Sequence, residues 1–175
     1  MTLYDLWSLK LPSLEPGMIE ARYDLIAGTP VPPQSEEAWT GIRNLAEDFL
    51  GHDAYLVSTP MWNFGIPYRL KHFIDVITHP GMMFRNDARG NVEGMAAGRR
   101  ALIIAASAMP FGQDETLASL DFQSAYLEKW MQFIGITQIE ILNVSPTFGS
   151  EEVVNEAMGA AEDRAEEFAR NWVVG

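Results

Sequence analysis

Ala101-Leu102-Ile103-Ile104-Ala105-Ala106 is apolar from end to end, with no alternation of polar and apolar positions. A half-wetted strand alternates, so an unbroken apolar run of this length reads as a strand covered on both faces, as in the centre of a parallel sheet. Upstream, Tyr55-Leu56-Val57-Ser58-Thr59 is a second short apolar strand, and Ile139 to Val144 is a third further on. Between them the apolar period changes to that of helices. Ala38, Trp39, Ile42, Leu45, Ala46 and Phe49 recur at helical spacing after Ser35, which reads as an N-cap with Glu36 and Glu37 on the positive end of the helix dipole, and Gly51 stands where the run stops.

The same reading gives a helix from Pro67 onward, with Leu70, Phe73, Ile74 and Ile77 as its buried stripe, Lys71, His72 and Asp75 on the wetter side, and His79-Pro80-Gly81 at its end. After a loop from Ser107 to Asp114, another helix carries Phe122, Tyr126, Leu127, Trp130, Phe133 and Ile134, closed by Gly135. Ser150 caps a last helix with Val154, Ala157, Met158, Ala161, Ala165, Phe168 and Trp172 on one side and a solvated acidic face on the other. At the N-terminus, Thr2 to Leu6 predicts a strand, followed by a long loop punctuated by Pro12, Pro16, Gly17, Gly28, Pro30, Pro32 and Pro33. The alternation of strand and helix, with no repeat or linker, predicts one α/β domain over residues 1–175 built on a doubly wound parallel sheet. Ligands of such sheets bind outside the carboxyl ends of the strands.

Composition narrows the partners. With 12 Lys plus Arg against 24 Asp plus Glu in 175 residues, the formal charge is -12, which repels nucleic acid and anionic membranes and leaves small molecules or other proteins. There is no cysteine, hence no disulfide, thiolate nucleophile or cysteine metal site. No apolar run approaches the ~18 residues that cross a bilayer, and Met1 to Asp5 lacks the blocks of a signal peptide, so the cytoplasm is the expected location. His52, His72 and His79 are scattered without carboxylates at ligand spacing, which predicts surface or turn roles and no metal. Ser58 and Ser107 sit in no nucleophile elbow, so hydrolysis is not expected and no side chain stands out as a catalyst.

Pro60-Met61-Trp62-Asn63-Phe64-Gly65-Ile66-Pro67 follows one strand and precedes a helix, and it gathers an amide, aromatic rings and turn formers. Two readings are open. The rings plug the top of the core, or they cover a planar heterocycle whose nitrogens and carbonyls meet the backbone N–H groups of the turn.

This stretch resembles the proline-methionine-aromatic-asparagine-phenylalanine loop of FMN-dependent NADH azoreductases and related NAD(P)H quinone reductases. The likeness continues through Leu70-Lys71-His72-Phe73-Ile74-Asp75, Gly81-Met82-Met83-Phe84-Arg85, the spacing of Gly90, Gly94 and Gly98-Arg99-Arg100, and Phe133-Ile134-Gly135-Ile136. Asp5-Leu6-Trp7 with Leu11-Pro12 resembles the family's second strand and the segment after that strand. The resemblance implies a flavodoxin-like fold, FMN as cofactor with NADH or NADPH as donor, a quinone or azo acceptor, and a homodimer with substrates in a cleft between subunits. Tyr126, Trp130 and Phe133 then either line the dimer seam or pack in their own core. It assigns flavin contacts to Pro60, Met61, Trp62, Asn63 and Phe64, and to the loop after the next strand, here Ala106, Ser107, Ala108 and Met109 in place of the family's Ser/Arg/Gly-rich loop.

The resemblance also implies that the chain is N-terminally truncated, without the first strand, the serine-rich phosphate loop and the first helix. Each hydrogen bond to a charged group contributes about 1.5–3 kcal/mol. Without three or four of them, FMN affinity is expected to fall by roughly four to seven decades. A flavin-free relative acting as an interaction protein is therefore the alternative reading.

Overall fold

The computed structural model describes residues 1–27, 29–30, 33–111 and 115–172, with the backbone alone for Leu25, Gln34 and Glu115. The loop expectations at Gly28, Pro32 and 112–114 lie outside these residues. In chain order the elements are α1 (Pro16–Ala27), a 3-10 turn (Pro33–Ser35), α2 (Glu36–Leu50), β1 (Ala54–Pro60), α3 (Tyr68–Ile77), β2 (Phe84–Asn86), β3 (Val92–Gly94), β4 (Arg100–Ala106), α4 (Glu115–Ala118), α5 (Phe122–Phe133), β5 (Gln138–Val144) and α6 (Glu151–Asn171). They fall into two compact units, one of Met1–His52, Tyr68–Ala97 and Phe133–Gly135, the other of Asp53–Pro67, Gly98–Gln132 and Ile136–Gly175.

The second unit holds a parallel sheet in the order β1-β4-β5, with Ala54 opposite Arg100, Pro60 opposite Ala106, Arg100 opposite Gln138 and Ala106 opposite Val144. The apolar run thus lies in the central strand, as its composition predicts. Its two faces are not covered equally: Ala101, Ile103 and Ala105 are buried, whereas Leu102, Ile104 and Ala106 are half-buried. An unbroken apolar run records that no face is bathed in water, but not how thick the cover on each face is.

On its other side β1 has no strand partner among the described residues, and Leu56 is 65% exposed. Pro60, which has no N–H to donate, ends this edge strand where a missing donor costs least. α5 buries Gln123, Leu127, Trp130 and Met131, and α6 runs against β5. The stripe expected on α6 is shallower than its pattern, with Ala161 buried and Met158 41% exposed. The Ser150 side chain accepts the Val153 N–H at 3.4 Å, as its capping role requires.

The first unit contains the main departures from expectation. Thr2 to Leu6 forms no strand, because β-propensity becomes structure only where a neighbouring strand offers a ladder. Instead Asp5 starts a turn: its carbonyl accepts the N–H of Ser8 at 3.1 Å and of Leu9 at 2.9 Å. Arg69 of α3 then donates to the carbonyls of Leu6 at 2.8 Å and Leu9 at 2.6 Å, and Tyr4 bonds Asp48 while its ring meets those of His52 and Phe73.

Part of the expected loop is α1, whose opening Pro16 suits a first helical turn where its absent N–H is not needed. Trp39, Ile42, Ala46 and Phe49 of α2 and Leu70, Phe73, Ile74, Val76 and Ile77 of α3 are buried. A large apolar side chain fully buried in this way contributes about 1.5–3 kcal/mol. Ser35 precedes α2 as expected, yet its side chain makes no capping bond, since it ends the 3-10 turn with helical backbone angles.

The short antiparallel pair β2-β3 was not evident in the sequence. Its turn is organised by Asp87, whose carboxylate accepts the N–H of Arg89 and of Asn91 at 2.8 Å each, and Arg85 pairs with Glu93 across it at 2.8 Å. Gly94 ends the pair against the backbone of Ile134 and Gly135; a Cβ there would lie 2.1 Å from the Ile134 carbonyl carbon. Backbone cannot step aside as a side chain can. Gly94→Ala is therefore expected to cost at least about 3 kcal/mol in urea unfolding. Gly98→Ala, where φ is +82° but the space is open, should cost only about 1–2 kcal/mol.

His79 does sit in a turn, but at 2% exposure it is not on the surface. Both ring nitrogens are buried with no well-formed hydrogen bond among the described residues, and the ring meets that of Trp39 edge-on at 4.8 Å. Burial, reinforced by the Arg22 charge, pushes its pKa from 6.5 down to about 4. The folded state therefore holds a neutral ring that the unfolded chain would protonate below pH 6.5. Stability from this site is complete above pH 6.5 and is lost as the pH falls toward 4, by about 2 kcal/mol after allowing for partial solvation. Urea midpoints at pH 7.5 and 4.5 should differ less for His79→Phe than for the native chain.

Candidate functional site

At the carboxyl end of β1 the chain makes a tight reversal. Trp62 N–H donates to the Gly65 carbonyl at 2.9 Å and Gly65 N–H returns to the Trp62 carbonyl at 3.0 Å. The two residues between them are both left-handed, Asn63 at φ 48° and Phe64 at φ 70°. This is the signature of a type I′ turn, whose usual occupants are Asn-Gly because both central residues need positive φ. Asn tolerates that conformation; a bulky Phe costs about 1–2 kcal/mol there.

Neighbouring elements hold the strained pair in place. Met61 N–H donates to the Ala106 carbonyl of β4 at 2.7 Å, and Phe122 N–H at the start of α5 donates to the Phe64 carbonyl at 3.0 Å. The Phe64 ring stands edge-on to that of Phe111, centroids 6.2 Å apart. The rings do not plug the core: Trp62 is 46% and Phe64 43% exposed. Asn63 is exposed, and neither its side chain nor the N–H groups of Asn63 and Phe64 have a partner among the described residues. The turn thus presents the N–H groups of Asn63 and Phe64 beside two partly exposed aromatic rings.

The loop after β4 lies next to it through the Met61 to Ala106 bond. Ser107 is buried and its polar groups are already used: its N–H donates to Val144 at 3.1 Å, its hydroxyl to Met109 at 2.8 Å, and its carbonyl accepts the Thr147 N–H at 2.9 Å. Ala108 and Met109 are exposed and keep unbonded N–H groups among the described residues. Thus Pro60 to Phe64 and Ala106 to Met109 come together on adjacent strand ends, with Ser107 acting as a brace between loops. Neither stretch contains an ionisable side chain. Any proton or electron chemistry here must come from a bound group. Tyr55, whose pKa burial pushes up to about 12, stands at the far end of β1.

Two contributors escaped the sequence reading. Gln123 is 1% exposed and donates to the Thr59 carbonyl at 3.0 Å, directly before the turn, and Phe111 packs on Phe64. A glutamine near a helix start ordinarily reads as a solvated residue, so only the fold reveals its burial. The available signal was Asp121, whose carboxylate caps the Ser124 N–H at 2.8 Å and fixes where α5 begins.

Comparison with known proteins places this geometry. Residues 1–169 match the model of the family described as having a flavodoxin-like fold. The chain belongs to that flavodoxin-like family. It is 34% identical over 172 residues to FMN-dependent NADH:quinone oxidoreductase 3 of Pseudomonas fluorescens, covering 97% of this chain and 80% of that protein. It is 37% identical over 143 residues to an FMN-dependent NADH:quinone oxidoreductase of Desulfotalea psychrophila, covering 82% of this chain and 67% of that one.

Among solved structures, an azoreductase from Bacillus anthracis str. Sterne superposes with a TM-score of 0.85 at 21% identity, over 97% of this chain and 80% of that one. An FMN-dependent NADH-azoreductase from the Ames Ancestor strain, in complex with FMN, gives 0.78 at 22%, over 95% of this chain and 79% of that one. The parallel sheet is therefore that of the flavodoxin-like fold, and the Asn63-Phe64 turn lies at the strand end where open sheets receive ligands. Because the turn demands positive φ, Asn63→Val should cost about 1–2 kcal/mol in urea unfolding although the residue is exposed, whereas Asn63→Gly should change stability by less than about 0.5 kcal/mol.

Proposed function

We propose that this chain is an FMN-dependent oxidoreductase that passes reducing equivalents from NADH or NADPH to quinones or azo compounds. The observation that carries the reading is the strained Asn63-Phe64 turn at the carboxyl end of a parallel strand, with partly exposed rings and with Asn63 and Phe64 N–H groups that have no partner among the described residues. Its relationship to the quinone oxidoreductases supports the same chemistry.

The residues suit a flat heterocycle. Trp62 and Phe64 supply aromatic cover, and Met61 and Met109 add polarizable apolar surface. The Asn63 side chain both donates and accepts, so it can meet either kind of group on a polar ring edge. The N–H groups of Asn63, Phe64, Ala108 and Met109 are fixed donors, and donors aimed at a group that gains electron density stabilise it without reorganising. FMN bound there would supply the two-electron relay between nicotinamide donor and acceptor, for which these side chains have no equivalent. Their work is to orient the ring, exclude water and leave one face open. The reading extends to a single flavodoxin-like domain acting in the cytoplasm as a homodimer. In this structure Trp130 is buried, while Phe122 is 59% and Phe133 41% exposed.

With FMN added in excess, the purified protein should melt at a higher temperature and should oxidise NADH or NADPH with 1,4-benzoquinone or an azo dye as acceptor. Trp62→Ala and Phe64→Ala should each weaken FMN binding by about tenfold, or ~1.4 kcal/mol. Protein that is not stabilised by added FMN and does not turn over would sink the proposal.

A further inference from the structure

Gln123 is buried at the second residue of α5, where an amide must find partners inside the protein. Its Nε2 donates to the Thr59 carbonyl at 3.0 Å, while its Oε1 is buried without a partner among the described residues. One residue earlier, the Phe122 N–H donates to the Phe64 carbonyl at 3.0 Å. The start of α5 therefore grips the chain ahead of the reversal, at Thr59, and within it, at Phe64. Only Pro60 to Asn63 lie between the two grips.

Two costs coincide at this place. A buried carbonyl oxygen left unpaired is unfavourable, and so is a phenylalanine in left-handed backbone. An apolar side chain of Gln123's size would avoid the first cost altogether. Core stability alone does not account for an amide here, whereas holding the strained turn does.

We infer that Gln123 is a positioning residue: by fixing the end of β1 against α5, its amide keeps Asn63 and Phe64 left-handed before any ligand arrives. A ligand then meets amides that are already aligned and pays no ordering cost. The effect on the turn stands on geometry alone; the effect on flavin affinity rests on the function proposed above.

Gln123→Met preserves length and removes both polar atoms. Its melting temperature should equal or exceed that of the native protein, because the unpaired oxygen is gone. Hydrogen exchange at the Trp62 and Gly65 amides, measured without ligand, should quicken by about tenfold while Ile103 in β4 stays protected. The FMN dissociation constant should rise by about five- to tenfold. Gln123→Glu adds a signature that mere packing lacks. Its carboxylate cannot donate to Thr59, but its protonated form can, so protection of Trp62 and Gly65 should return as the pH is lowered.

Unchanged exchange at Trp62 and Gly65 in Gln123→Met overturns the inference, as does a uniform rise across β1, β4 and β5. If Gln123→Met does not fold, the pH response of Gln123→Glu decides, and protection that ignores pH overturns the inference. If the native protein binds no FMN while exchange responds as described, the proposed function falls and the positioning role stands.

Discussion

A two-residue reversal in which both residues are left-handed, one of them a phenylalanine, is a conformation the chain does not adopt unaided. It persists because three neighbours fix it: the Ala106 carbonyl takes the Met61 N–H, the start of α5 takes the Thr59 and Phe64 carbonyls, and Phe111 meets the Phe64 ring. Those supports come from separate parts of the sequence. The site therefore depends on the parallel sheet having brought β4 and α5 to the end of β1. The strain and the exposure belong together, since the turn that exposes Trp62 and Phe64 also leaves the N–H groups of Asn63 and Phe64 without backbone partners among the described residues.

Function follows from what the site lacks as much as from what it offers. It has no acid, base or nucleophile, so its side chains can cover and orient but cannot transfer electrons. That is the division of labour expected when a cofactor carries the chemistry. Ser107 spends its polar groups on protein. It ties the loop after β4 to that after β5 through the Val144 carbonyl and the Thr147 N–H, fixing the height at which Ala108 and Met109 stand.

The first unit shows a different constraint, close approach of backbone to backbone. Gly94 leaves no room for a methyl group beside Ile134 and Gly135, so the β2-β3 pair can dock only through glycine. The spacing of Gly90, Gly94 and Gly98 was visible in the sequence, but not what Gly94 touches. Nearby, His79 reads as a turn residue because Pro80 and Gly81 follow it. Its burial, and hence its low pKa, depends on Trp39, forty positions earlier in the chain.

The sequence by itself determined the elements whose signals are local: the strands around 55–59, 101–106 and 139–144, the helices with strong apolar periods, the Ser150 cap, and the Pro60 to Phe64 turn with its family likeness. Apolar period, capping and turn chemistry are properties of neighbouring residues, so they survive without coordinates. Only the tertiary structure decided that Thr2 to Leu6 is no strand, that Phe84 to Gly94 pairs with itself, that Gln123 is buried and that Ser107 is spent on bracing. Each of those outcomes depends on a partner far along the chain, and a ladder, a buried amide or a close backbone approach exists only once the fold has supplied that partner.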